Sequence, residues 1–585
     1  MKKQVIFKII IAIFPILFIL TFELAFRLFN LFPQIPLFIQ DINQNRITLN
    51  STVGERYFNK KSIPVPNIYP QTFSYKKSDD TFRIFCLGGS TTAGFPYEMT
   101  VPFPQQLKFM LEHDYPEKKF EVINLGLSAV NSFTVLDWIP EVVKQEPDLV
   151  IIYMGHNEFY GAYGAASSIS LGNSGRLSRF MLKMQKVRLY NGMKSLANSF
   201  RPDNSNMDVT LMEKIVKDRN IPIDSKLRDV TYKNYADNLE IILAKLKKKE
   251  IPVVMGNLVS NLQDQSPLDQ NDEIFKNAET LEDFIKAKDQ DEIPFRAPSQ
   301  INSIIKEKSR KHGVNYVNLD QEFKNKSTDG IPGDKFFCDH LHPNPVGYHL
   351  MAKGFYNQII KKNIIVKPVK QNLGNNPLFV TKLDWEIGGL RVFKLEQKWP
   401  FYNNEAQYSG YKILDNQKVL EIAEEFLFQH HIWGKSHSDL AEYYEGIGEN
   451  YLASKEYEAV LSMYPEKLDY HLKLIDNAKK SNQWKLLETH ATKALTLTSV
   501  KGMLYYNIAQ SQRNQGKIES AFGNLQKSLD SKEISRDNLA YIFYLKALIL
   551  SDIRQFDEAR KILEVIIQED PDFAAAKILL NQINK

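Results

Sequence analysis

The chain opens on a nearly unbroken apolar run. Residues 5–22 read VIFKIIIAIFPILFILTF, with Lys8 near the start as their one charge. As a helix rising about 1.5 Å per residue, a run of this length spans roughly 27 Å, close to the hydrocarbon thickness of a bilayer. Lys2, Lys3 and Lys8 precede the apolar centre, which keeps the N-terminus on the cytoplasmic side. The following ELAFRLF (23–29) offers no small-x-small cleavage pattern. The pattern predicts an uncleaved signal anchor over 1–35. It places all later residues outside the cytoplasm, in the periplasm if the cell is Gram-negative.

Residues 36–80 are polar and carry Pro64, Pro66 and Pro70, the composition expected of a stalk. From 81 the pattern changes. Short Val- and Ile-rich runs, RIFCLG (83–88), FEVINLG (120–126), DLVIIYMG (148–155), IPVVMGNL (251–258) and VNYVNL (314–319), are bounded by Gly, Pro, Asn or Asp. Stretches of helical period separate them, such as PQQLKFMLEHDY (104–115) and YADNLEIILAKLKKK (235–249). Strands alternating with helices predict an α/β domain over 81–365, its parallel sheet covered on both faces. Residues 366–433, with Trp385, Trp399 and several tyrosines, fit neither neighbour and read as a packed connector.

Beyond 434 one helical phase repeats. Ala453, Leu487, Ala521 and Ala559 are spaced 34, 34 and 38 residues apart. A period of about 34 is that of the tetratricopeptide hairpin. The four extra residues fall in 531–537. Region 434–585 resembles the tetratricopeptide family, which implies an all-α superhelix whose concave face binds a protein segment.

Charge and composition remove other classes. Lys+Arg exceeds Asp+Glu by 74 − 69 = 5, too little and too evenly spread for a nucleic-acid protein. Cys86 and Cys338 are the only cysteines, too few for a disulfide scaffold or a thiolate zinc site. They read as two buried free thiols, with pairing outside the cytoplasm as the alternative.

Candidate chemistry gathers where the predicted strands end. RIFCLG runs into Gly88-Gly89-Ser90-Thr91, placing a serine at the carboxyl edge of the first strand, where open α/β sheets bind ligands. Taken alone, Ser90 is equally a helix cap. Downstream lies Cys338-Asp339-His340-Leu341-His342-Pro343-Asn344. A nucleophilic serine needs a base and the base an orienting carboxylate. Asp339 and His342 are spaced to supply both, with His340 as the rival base. Asn124-Leu125-Gly126-Leu127-Ser128-Ala129 and Gly155-His156-Asn157-Glu158 end two further strands. They offer backbone and amide donors of the kind an oxyanion hole uses, although Asn157 is also a common turn residue.

GGST, NLGLSA, GHNE and DHLHPN stand in the order of the four blocks of the SGNH (GDSL-like) hydrolases, and 81–365 resembles that family. The resemblance implies a three-layer, flavodoxin-like α/β domain that cleaves esters. It implies Ser90 as nucleophile, His342 as base, Asp339 as its orienter, and oxyanion donors from the Ser90 N–H and Asn157. There are three departures. Gly89 replaces the acidic residue usual before the serine, and Glu158 replaces an aspartate. Ala129 replaces a glycine whose N–H points into the oxyanion hole; alanine serves there if its φ is negative, and Gly126 is the fallback donor. No cofactor is called for. A zinc set of His156, Glu158, Asp339, His340 and His342 is chemically conceivable, but the triad already accounts for those loops, so no metal is expected.

No acidic residue separates Glu158 from Asp203, and 176–201 is basic with apolar residues at near-helical spacing. A lid or membrane-surface helix fits this, but a helix packed on the domain with its charges in water is the plainer expectation. The sequence thus predicts a membrane-anchored, extracytoplasmic serine esterase acting on acyl esters, O-acetyl groups among them, of envelope glycan or lipid. The alternatives are an O-acyltransferase modifying cell-envelope glycan with the same triad, and a non-catalytic assembly scaffold working through the repeats.

Overall fold

The computed structural model describes residues 14, 17–170, 174–202, 210–365, 378–401, 410–531 and 533–584. They fall into two compact units. One comprises Met1–Leu378 with Ile387–Leu414, the other Phe379–Glu386 with Asp415–Lys585.

The first unit begins with a helix, α1 (17–28). Strands β1 (Phe38–Asp41), β2 (Arg46–Leu49) and β3 (Thr72–Ser74) form an antiparallel sheet in that order. The main sheet holds β4 (Thr81–Gly88), β5 (Lys119–Gly126), β6 (Leu149–Tyr153), β7 (Val253–Gly256) and β8 (Asn315–Val317). All neighbours are parallel, in the order β5-β4-β6-β7-β8. Its helices follow in chain order. After β4 come α2 (Ser90–Ala93) and α3 (Phe103–Asp114), and after β5 comes α4 (Ser132–Val143). After β6 come α5 (Gly175–Met184), α6 (Arg188–Ser199), α7 (Leu211–Ile215) and α8 (Lys226–Lys248). Then follow α9 (Glu273–Lys276), α10 (Leu281–Gln290), α11 (Ser299–His312), α12 (Leu319–Lys326) and α13 (Pro345–Lys361). Helices α3, α12 and α13 pack together on one face of the sheet, and α4, α8 and α11 on the other. This is the predicted three-layer α/β architecture. Because both faces are covered, the strands are apolar throughout: Ile84, Phe85, Cys86 and Leu87 are wholly buried. Strand order reverses between β4 and β6, which opens a crevice at their carboxyl ends.

Residues 36–80 are not a stalk. Leu37, Val53, Phe58 and Ile68 are buried, and Phe73 meets Phe38 and Phe85 edge to face. Buried Arg56 pairs with Asp137 at 3.0 Å and Glu141 at 2.6 Å. The Arg83 guanidinium ties Glu121 to the Ser74 carbonyl. Strands of three or four residues interrupted by proline leave no period to read, yet they cover the edge of the main sheet. Among the described residues no helix is long and apolar enough to cross a membrane. The predicted anchor falls largely on residues 5–13, 15 and 16, outside the described set.

Helix α14 (Lys382–Glu396) contributes its first turns to the second unit and Ile387–Glu396 to the first. Within the predicted connector, Trp399 packs against Phe295, with the Arg219 guanidinium over its ring at 4.8 Å. The second unit is helical and, after those first turns of α14, continues with α15 (Gln417–Phe428), before the expected 434. Next come α16 (Trp433–Gly446), α17 (Asn450–Met463), α18 (Leu468–Lys480) and α19 (Trp484–Ala494). They are followed by α20 (Gly502–Asn514), α21 (Ile518–Leu529), α22 (Arg536–Asp552), α23 (Phe556–Glu569) and α24 (Ala574–Ile583). Ala453, Leu487, Ala521 and Ala559 sit on α17, α19, α21 and α23 and are all 0% exposed. The extra residues lie in the connection from α21 to α22.

Candidate active site

Ser90 is the first residue of α2, directly after β4. The turn depends on its glycines. A Cβ on Gly88 would lie 2.1 Å from the Tyr153 carbonyl, and one on Gly89 2.8 Å from Asn157 Nδ2. The missing acidic residue at 89 therefore leaves room for the Asn157 amide.

Ser90 Oγ lies 2.7 Å from His342 Nε2, and His342 Nδ1 lies 2.6 Å from Asp339 Oδ2. The other carboxylate oxygen, Oδ1, accepts the Leu341 and His342 N–H groups at 2.9 and 2.7 Å. The loop is pinned across its base, where Cys338 N–H donates to the His342 carbonyl. Burial opposes the charge of Asp339, but His342 and His340 beside it hold its carboxyl well below the usual carboxylate range. The structure thus brings Ser90, His342 and Asp339 into one hydrogen-bonded chain.

His340 takes no part in that chain. It is buried with its ring against Phe401 and Phe295. Burial pushes its imidazole down despite Asp339 at 3.3 Å. His156 is equally enclosed. Its Nδ1 accepts the Ala297 N–H at 3.2 Å, and burial, then the nearby His342, His340 and Lys288, push it down to about 3. Asp339, His340 and His342 alone have ligand atoms close enough for a metal ion, among the described residues. Glu158 is committed elsewhere. Its carboxylate accepts the Ser132 N–H at 2.9 Å and hydroxyl at 2.7 Å, and so caps α4. Burial, partly offset by Ser132, raises it to about 7.

The expected oxyanion donors fare differently. Asn157 Nδ2 donates to the Val130 carbonyl at 3.0 Å, which leaves its second amide hydrogen for a ligand. Ala129 lines the cavity but takes φ +58, so the expectation of a negative φ is corrected. A left-handed alanine stores on the order of 1–3 kcal/mol of strain, and here the Ala129 carbonyl is held by the Ala162 N–H at 3.0 Å. Gly126 is no fallback donor: its N–H is spent on Asn124 Oδ1 at 2.9 Å, within its own strand. The Ser90 N–H opens the first turn of α2, where backbone donors have no intrahelical acceptor.

A cavity of about 520 Å³ opens above Ser90. Leu211, Met212, Ile215, Tyr160 and Phe295 give it an apolar wall, and Arg391, Lys394 and Lys398 a basic one. Sequence reasoning missed both walls, since they carry no motif. The one signal was the aromatic and basic composition around Trp399. Cys86 and Cys338 are both free. Cys338 Sγ lies 3.2 Å from the His342 carbonyl, and burial raises both thiols.

Residues 86–350 match the model of the GDSL-like Lipase/Acylhydrolase family. No curated protein matches the sequence. Solved structures similar to part of the chain include Axe2, an acetylxylan esterase from Geobacillus stearothermophilus. It is 14% identical over 48% of this chain and 94% of its own, with a TM-score of 0.28. The acetyl xylan esterase AlAXEase is 12% identical over 48% of this chain and all of its own, also at 0.28. YrrB, a TPR protein with an unusual peptide-binding site, is 16% identical over 25% of this chain and 74% of its own, at 0.21. The similarity to the GDSL-like Lipase/Acylhydrolase family falls within the first unit and spans the segments that carry Ser90, Asn157, Asp339 and His342.

Proposed function

We propose that the chain is a membrane-anchored, extracytoplasmic serine esterase that removes acyl groups, O-acetyl included, from an envelope glycan or lipid. One observation carries the catalytic part: the Ser90–His342–Asp339 chain at 2.7 and 2.6 Å, at the mouth of a cavity on the carboxyl edge of the sheet. Ser90 Oγ attacks the ester carbonyl as its proton passes to His342 Nε2. Asp339 stabilises the imidazolium through Nδ1–H. The Ser90 N–H and the second Asn157 amide hydrogen are the donors to the developing oxyanion. Collapse returns the proton to the departing alkoxide, and water repeats the sequence on the acyl-serine.

A fluorophosphonate probe tests this reading. It should modify Ser90 and abolish turnover of a small acyl ester, and His342→Ala should no longer be modified. Continued hydrolysis by fully labelled enzyme, or labelling of another serine, overturns the assignment. Running the same ester with and without a glycan acceptor separates hydrolysis from O-acyl transfer. Asn157→Ala should lower kcat by about 10²–10³ with little change in KM, the size expected for one oxyanion donor. An unchanged kcat removes Asn157 from the oxyanion hole.

A further inference from the structure

Helix α6 inverts the expected pattern, while α5 buries Ser178 and Leu182 and leaves its other side to solvent. A helix packed on the domain would bury its apolar residues, yet α6 has no buried residue at all. Met193, Leu196 and Phe200 fall on one stripe of it and are 56%, 62% and 81% exposed. Leu177 and Phe180, one turn apart on α5, are also exposed. Arg176, Lys183, Lys186 and Arg201 interleave with them, and among the described residues none has a carboxylate partner. After burial, Lys183 and Lys186 are what depress the neighbouring Lys245 ammonium. The face is therefore apolar and positive together.

Helix α1 is bolted to this face. The Glu23 carboxylate accepts the Arg188 and Leu189 N–H groups at the start of α6, at 3.2 and 2.9 Å. The Arg188 guanidinium donates to the Phe26 carbonyl and Asn191 to that of Phe32. Gly192 leaves space for the Phe26 and Phe32 rings. The rest of α1 presents Leu17, Phe18, Leu20 and Leu24 outward. Beside the junction lies a cavity of about 480 Å³, lined by Lys60, Lys61, Lys194, Asn59 and Ser195, with Glu55 as its one carboxylate among the described residues. Lys61 donates to the Ser199 and Arg201 carbonyls and Lys194 to the Arg56 carbonyl. Among the described residues neither has an anionic partner, and Lys60 has only a 3.7 Å pairing with Glu55.

We propose that the α5–α6 face beds the catalytic unit into the surface of an anionic bilayer, its apolar stripe among the acyl chains and a lipid phosphate in the Lys61–Lys194 cavity. Three observations choose the bilayer over a protein partner. Apolar and cationic residues share one face, as interfacial helices require. The cavity offers cations and hydrogen-bond donors to a phosphate. Residues 5–22, which read as a membrane span, run directly into α1. The proposal rests on the anchored reading above and extends it: the catalytic unit, too, contacts lipid.

The test uses the full chain in phosphatidylcholine vesicles, with or without phosphatidylglycerol. Fluorophores at Phe180→Cys and Leu196→Cys should be quenched by lipid-borne nitroxide and shielded from aqueous iodide. Glu307→Cys on α11, 61% exposed, should behave oppositely, and unsubstituted protein corrects for Cys86 and Cys338. Quenching should be stronger from nitroxide-labelled phosphatidylglycerol than from labelled phosphatidylcholine. Lys61→Gln with Lys194→Gln should remove that preference, at roughly fivefold per cation, while inorganic phosphate leaves it intact. Protein that fails to float with vesicles refutes the anchor itself. Protein that floats with iodide-accessible probes refutes the bedding alone. Probes shielded from both quenchers would mean a protein covers the face, and displacement by phosphate would mean a soluble-anion site. Either result overturns the proposal.

Discussion

Ser90→Ala is expected to lower kcat/KM for a small acyl ester by about 10⁴–10⁶, the scale of loss when one member of a catalytic triad is removed. Its melting transition should be unchanged, because Ser90 is partly exposed and, among the described residues, its one side-chain hydrogen bond is to His342. His342→Ala should match it, and the double variant should be no worse, since the two act as a unit. His340→Ala separates the rival bases. Its ring is enclosed by Phe295 and Phe401 and does not reach Ser90, so its variant should lose stability before chemistry. Initial rates normalised to folded protein decide the matter. Near-normal turnover by Ser90→Ala, or a greater loss at His340 than at His342, would sink the assignment.

What was legible in the sequence was local or periodic. The strands β4, β5 and β6 are buried on both faces, so each reads as a continuous apolar run, and the residues that follow them are fixed to the carboxyl edge. Ser90 and Asn157 were findable for that reason, and Asp339 and His342 through their spacing within one short loop. The repeat phase was legible because Ala453, Leu487, Ala521 and Ala559 fill equivalent buried positions. What escaped depends on contacts distant in sequence or on backbone angles. The φ of +58 at Ala129 is set by the surrounding turn and the hydrogen bond from Ala162, 33 residues on. The capture of Gly126 by Asn124 needed a side-chain direction. The segment 36–80 looked unstructured because its burial comes from partners such as Asp137 and Phe85, not from its own period. The apolar residues of 176–201 were read correctly as helical, but spacing alone does not say which side of a helix meets protein.

In the helical unit, His437→Ala is expected to destabilise the fold by about 3–5 kcal/mol, the scale for breaking a buried ion pair from one side. His437 is wholly buried, with Nδ1 2.6 Å from Glu456 and Nε2 3.5 Å from Asp384. Asp384 in turn accepts from the Thr381 N–H at 2.9 Å and faces the Trp433 indole N–H at 3.4 Å. Burial alone would depress the imidazole, but Asp384 and then Glu456 overrule it and raise it to about 9. Removing the ring leaves two carboxylates enclosed without a cation. The sign of the pH dependence follows from the same shift. The folded state holds the proton more tightly than the unfolded chain, whose histidine titrates near 6.5. This stabilisation is complete below about pH 6.5 and is lost as pH rises toward 9. Glu456, raised chiefly by burial, acts in the same direction. Hydrogen exchange in α16 and α17 should therefore quicken between pH 6.5 and 9 by more than intrinsic exchange rates require. His437→Ala should be fast throughout and lack that excess slope. A variant as protected as the parent at pH 7, or a parent with no excess slope, would show that His437 is neutral in the fold and that the carboxylates carry the proton instead.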